Sequence, residues 1–172
     1  MALALEGIRV LDFTAHTSGP TATAMLADNG AEVIKVEPCG KGEDTRALFP
    51  KIDGVAMTYM WNNRSKKSIT INMKDPEGAR ILKALGKTCD IVVENFRPGM
   101  MDRLGLGYQD FKRVKPDIIY AALSAFGQTG PRAADPGFDI IVQGASGIMD
   151  LTGEPDGLPT KSGFVLGLAI TA

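Results

Sequence analysis

DIVVENFRPGMMDR, residues 90–103, is the stretch whose reading decides the fold. It opens on Ile91-Val92-Val93, a short run of β-branched residues that reads as a buried strand rather than a helix. Glu94-Asn95 ends the run. Phe96 and Arg97 then lead into Pro98-Gly99, a pair that breaks a strand and can open a helix with proline at its first position. A strand that feeds a helix through so short a loop belongs to an open α/β sheet. In such sheets ligands sit in the crevice beyond the carboxyl ends of the strands, where a helix amino end offers unpaired N–H groups to an anion. Arg103 falls just over one helical turn past Pro98 and would add a fixed positive charge there. The same letters also read as an ordinary strand-to-helix turn followed by a solvated arginine.

Working outward, the pattern repeats. Ile8 to Phe13 reads as a first strand, Thr17-Ser18-Gly19-Pro20 as a cap and helix start, and Gly30 as the helix stop. Glu32 to Glu37 is a second strand, which makes a βαβ unit with a right-handed crossover. Ser68 to Asn72 alternates as a strand. Asp75 caps a helix with Pro76 at its first position and Gly86 at its end, with Lys74 at the junction. A short amphipathic helix is expected over Tyr108 to Val114, and Ile118 to Ser124 reads as another buried strand. That strand opens into Ala125-Phe126-Gly127-Gln128-Thr129-Gly130-Pro131, a loop whose backbone can approach a ligand closely. Phe138, Ile141, Val142, Ala145, Ile148 and Met149 recur at helical spacing and are expected to pack in the core. The fold expected is α/β, a Rossmann-like open sheet with strand–helix alternation.

One segment breaks the rhythm. From Pro38 to Lys67 there is no clean period, and glycine and charge are abundant. It reads as a surface excursion with short irregular helix around Met57 to Trp61, and its cations Arg46, Arg64, Lys66 and Lys67 read as solvated. Thr17-Ser18-Gly19 lies at a strand-to-helix mouth, yet neither GxGxxG nor GxxxxGK[ST] spacing is present, so the usual nucleotide signatures are absent.

Composition narrows the function classes. The 172 residues suffice for one sizeable domain. With 19 Lys and Arg against 20 Asp and Glu, there is no basic footprint for nucleic acid, so an anionic ligand has to be met locally. Cys39 and Cys89 have no metal-ligand spacing, and two isolated thiols fit a reducing cytoplasm. No apolar run approaches the roughly 20 residues that span a bilayer, and the first residues lack a targeting pattern.

The wording of the mouths is more specific than their spacing. LEGIRVLDFT (5–14) with SGP (18–20), LADNGAEVIKVEP (26–38), GED (42–44) with Arg46, NNRSKKSITINMK (62–74), DIVVENFRPG with DRLG (90–105), LSAFGQTGP (123–131) and PGFDIIVQGASGIMDLTGEPDG (136–157) follow one another nearly end to end. Together they resemble the family III CoA-transferases, the group of formyl-CoA transferase and carnitine CoA-transferase that also includes α-methylacyl-CoA racemase. The resemblance implies the family's Rossmann-like large domain, a coenzyme A thioester as substrate with a carboxylic acid as its partner, and interlocked homodimers. It places Thr17 and Ser18 beside the thioester end of the site. It matches Lys74, Asn95, Phe96, Arg97 and Arg103, with Ser124, Ala125, Phe126 and Gly127, to stretches that contact CoA. No metal and no nucleic acid are implied.

The departures from the family pattern set further expectations. The family's proteins add a small domain and a return to the large one, so residues 1–172 are expected to be the amino-terminal part of the CoA-binding domain and inactive by themselves. Formyl-CoA transferase has a histidine and an arginine where this chain has Ala15 and Pro38, which leaves a formyl or oxalate substrate without support. The neighbouring His16 is a lone histidine and reads as structural. The family's attacking aspartate follows a GVxIG-like word. Here Gly163-Phe164-Val165-Leu166-Gly167 is followed by Leu168, which cannot act as a nucleophile. Racemases carry a histidine before the aspartate of a GHD-like word; Gly137-Phe138-Asp139 has Phe138 there and favours transferase. The remaining alternative is a remnant that binds CoA or a partner without catalysis.

Overall fold

The computed structural model describes residues 2–165. Five parallel strands form one sheet: β1 (Arg9–Asp12), β2 (Glu32–Glu37), β5 (Lys67–Thr70), β6 (Ile91–Glu94) and β7 (Ile119–Ala122), in the order β5-β2-β1-β6-β7. A two-stranded antiparallel pair, β3 (Lys51–Ile52) and β4 (Val55–Ala56), stands apart. Helices α1 (Ser18–Asp28), α3 (Pro76–Gly86) and α5 (Tyr108–Val114) connect the parallel strands. The order runs outward from β1 in both directions, so the crossover changes side between β1 and β6. That point is where an open α/β sheet leaves a crevice.

Alternate side chains divide the core into two layers, as the period of two demands. Leu11, Phe13, Ile34, Val36 and Val92 pack with Leu82 of α3 and Phe111 of α5 on one face. Val10, Val33 and Val93 pack with Ala27 and Ala31 on the α1 side. Asp75 caps α3 by accepting the Glu77 N–H at 2.9 Å, with Pro76 in the first turn, as its sequence requires. No helix among the described residues is long and apolar enough to cross a membrane.

Four expectations are corrected. After β6 the chain first makes a tight turn, with Met100 N–H donating to the Arg97 carbonyl and Gly99 at φ +76°; helix α4 (Met100–Arg103) is a single turn and Pro98 lies outside it. β7 is the sheet's edge rather than a buried strand, and Ile119 is 61% exposed. The apolar stripe along α6 (Asp139–Ala145) is not core: among the described residues Phe138 is 66% exposed and Ile141 39%. The periodicity identified an amphipathic helix correctly, but it cannot say what the apolar face meets.

The fourth correction concerns the excursion. Pro38–Lys67 contains a 3-10 turn (Asp44–Ala47), the β3–β4 pair and α2 (Met57–Asn63), and it inserts charge into the interior. Glu43 and the side chain of Lys66 are as buried as core valines, whereas Arg64 and Lys67 stay outside as expected.

Candidate functional site

The carboxyl ends of β1 and β2 carry Asp12, Lys35 and Glu37 on the α1 side of the sheet, all buried. Three opposite charges from the excursion answer them. Lys66 Nζ lies 3.0 Å from Asp12, Glu43 lies 2.6 Å from Lys35 Nζ, and Arg46 grips both carboxylate oxygens of Glu37 at 2.7 Å. Hydroxyls complete the shell: Thr23 donates to Asp12 at 2.7 Å and Ser68 to Glu37 at 2.6 Å. No buried side-chain polar atom among the described residues lacks a hydrogen-bond partner.

The environment moves the titrations accordingly. Burial pushes Lys66 down to about 8, with Asp12 opposing. Burial would raise Glu37, but hydrogen bonds from Arg46, Ser68 and the Glu43 N–H outweigh it and hold the carboxyl at about 2.

This charged block positions the loop after β1. Glu43 accepts the His16 N–H at 3.0 Å, and Asn62 donates to the His16 carbonyl at 3.0 Å. His16 is held in the left-handed region at φ +66°. Helix α1 can begin directly behind it because residue 19 is glycine; a Cβ there would come within 2.4 Å of the Thr14 side chain. Across the switch point Asn95 clamps the same loop, accepting the Ala15 N–H and donating to the Ala15 carbonyl, both at 2.8 Å.

Two cavities open at this junction. The larger, about 640 Å³, lies beyond the ends of β1, β2, β5 and β6; Ala15, Pro38, Cys39, Lys74, Phe96 and Met100 are among its walls. The smaller, about 140 Å³, is lined by Thr17, Ser18, Leu123, Ser124, Ala125, Gly137, Phe138 and Val142. His16 and Asn95 line both. Gly137 makes the small cavity's wall thin: a Cβ there would meet the Ala125 methyl at 1.9 Å.

The residues singled out from the sequence therefore fall into three places. Thr17, Ser18, Asn95, Ser124 and Ala125 meet at the smaller cavity, and Lys74, Asn95 and Phe96 at the larger. Lys74 is exposed and makes no ion pair among the described residues. Arg97, Arg103, Phe126 and Gly127 line neither cavity: Arg103 lies back beside Gly99, and Phe126 lies under the Arg132 guanidinium at 3.8 Å. Leu168 lies outside the described residues. Sequence reasoning missed Glu43, Lys66 and Asn62. The signal for them was present in polar residues at alternate positions of LDF and EVIKVE, strands that the parallel sheet buries on both faces.

Comparison with known proteins agrees with this architecture. The model of "CoA-transferase family III" matches residues 5–172. Succinyl-CoA:glutarate CoA-transferase of Mus musculus is 47% identical over 94% of this chain and 37% of its own length. Acetyl-CoA:oxalate CoA-transferase of Acetobacter aceti is 46% identical over 92% of this chain and 41% of its own. Among solved structures, a CAIB/BAIF family protein from Brucella suis superposes with a TM-score of 0.93 at 38% identity, over 98% of this chain and 46% of that one. The chain thus spans well under half the length of the curated relatives it matches. The matched span, the shared sheet and the crevice at its switch point together establish that the chain belongs to CoA-transferase family III.

Proposed function

We propose that this chain supplies the coenzyme A half of an acyl-CoA:carboxylate CoA-transferase site. The observation that carries the reading is the 640 Å³ crevice at the β1/β6 switch point, with the unpaired Lys74 on its wall and the narrower cavity opening from it at His16 and Asn95. A phosphate-bearing ligand fits a crevice at strand ends flanked by a lysine and a glycine-turned loop. Arg97 stands on the adjoining turn and Arg103 at the end of α4, and both reach the ligand by rotating about their long side chains. Thr17 and Ser18, with Ser124 and Ala125 on the same small cavity, then belong to the thioester end. The acceptor is a carboxylic acid.

In this chemistry a carboxylate attacks the thioester carbonyl and expels the CoA thiolate, giving a mixed anhydride; the thiolate then attacks the carboxylate's side of the anhydride and releases the donor acid, and the acceptor acid takes CoA from the resulting thioester by the same two steps in reverse. Leu168 stands where the family has that carboxylate, so the chain as written holds CoA without transferring it. Two supports favour a pairing with a second copy: the exposed apolar face of α6 and the unpaired edge of β7. The unpaired thiols of Cys39 and Cys89 support a cytoplasmic setting.

Calorimetry with CoA tests the reading. Binding is expected to weaken with added salt and to fall about tenfold in Lys74→Ala, the scale of a charge-assisted hydrogen bond. Mass spectrometry of the chain with acyl-CoA donors and carboxylate acceptors is expected to find no new thioester. Equal affinity in the two proteins, or exchange above a protein-free control, contradicts it.

A further inference from the structure

His16 sits where the crevice narrows into the smaller cavity and lines both. Among the described residues that line the smaller cavity, it is the one whose side chain can carry charge. Its placement is enforced from behind, since Glu43 and Asn62 hold its N–H and carbonyl and fix the left-handed φ of +66°. A non-glycine residue in that conformation is uncommon. The backbone hydrogen bonds do not involve the imidazole, and the carboxylate close enough to feel it, Asp44, already has Lys41 as its partner.

The surrounding charges are already balanced. The acids lining the crevice, Glu43 and Asp44, are paired with Lys35 and Lys41 at 2.6 Å each. An anion approaching through the crevice therefore meets neutralised carboxylates and Lys74, and at the smaller cavity one imidazole. The rest of the smaller cavity pairs hydroxyls (Thr17, Ser18, Ser124) with an apolar wall (Leu123, Val142), and its 140 Å³ fits a short carbon chain.

We propose that His16 is a specificity-determining residue, its imidazole receiving the distal carboxylate of a short dicarboxylic acid. The inference rests on the CoA reading above. An acid of this class has one carboxylate at the thioester end and needs a donor for the other, because a buried carboxylate without a partner is costly.

The test uses the full chain saturated with CoA. It has a single histidine, so the imidazole resonance in NMR reports His16 directly. Glutarate is expected to shift that resonance and to bind about tenfold more tightly than valerate, the monocarboxylate of equal length, as one charge-assisted hydrogen bond predicts. His16→Asn is the informative variant, because asparagine tolerates the left-handed backbone and keeps the loop while removing the imidazole. In it the two acids are expected to bind within about twofold of each other. Glutarate that leaves the imidazole resonance unmoved, no preference for glutarate, or a preference that survives His16→Asn overturns the inference while CoA binding stands. Failure of the natural chain to bind CoA overturns the reading beneath it, and this inference with it.

Discussion

Glu94 ends β6 with its carboxyl buried, accepting the Phe96 N–H at 2.7 Å and facing a cavity shared with Asp102 and Tyr120. Burial raises it to about 7; the Phe96 hydrogen bond opposes and the Asp102 charge adds to the rise. The sign of the consequence follows from linkage. The folded chain holds this proton more tightly than the unfolded one, so the group's contribution is most favourable below the ordinary value of 4.5 and is lost as pH rises through about 7. Glu94→Gln removes the charged form and keeps an acceptor for Phe96. At pH 8 the variant is expected to be more stable by roughly 2 to 3 kcal/mol, at about 1.4 kcal/mol for each pKa unit. At pH 4.5 the two are expected to be alike. Urea unfolding at both values reads this directly, and a variant no more stable at pH 8 than at pH 4.5 contradicts it.

At the scale of elements, the Pro38–Lys67 excursion is the unexpected part, and Glu43 is its pin. That carboxylate pairs with Lys35, accepts from Thr45 at 2.6 Å and holds the His16 N–H. Glu43→Ala leaves Lys35 buried with a hydrogen bond only to the Thr14 carbonyl, and the expected loss of stability is about 3 to 5 kcal/mol, the usual cost of removing one partner of a buried pair. Denaturant unfolding checks the magnitude; a loss within about 0.5 kcal/mol, typical of a surface site, contradicts the assignment. The excursion also shows how far sequence reading reaches. EVIKVE reads as a strand because β-branched residues recur, and the strand is there from Glu32 to Glu37. Lys35 and Glu37 at alternate positions signal buried charge that needs partners, but a segment without periodicity gives no local signal of which residues supply them. Helix α3 was legible to the residue because its cap, proline and glycine stop are local. The α6 stripe was legible as a helix but not as an exposed face, and the Pro98 helix start was overruled by the turn that Gly99 makes. Of the residues read from the wording of the mouths, Thr17, Ser18, Asn95 and Ser124 line one cavity. His16 reads as a lone histidine in the sequence, because the two cavities it lines exist only in the fold.

For the whole molecule, the sheet order places two cavities at one switch point, and a buried lattice of ion pairs sets the loop between them. The central claim is that the larger cavity is where coenzyme A sits. Cys39 is exposed on its wall, while Cys89 is buried, and burial pushes its thiol's pKa up. The two thiols therefore form a reporter and an internal control, since reactivity follows thiolate character and access. The measurement is the rate of maleimide labelling at each cysteine, followed by mass spectrometry, with and without acetyl-CoA, which has no free thiol to consume the reagent. At a concentration that calorimetry shows to be saturating, acetyl-CoA is expected to slow labelling of Cys39 at least about tenfold, the effect of occupying a shared cavity, and to leave Cys89 unreactive throughout. Labelling of Cys39 at an unchanged rate in the saturated chain would place coenzyme A somewhere else and contradict the account.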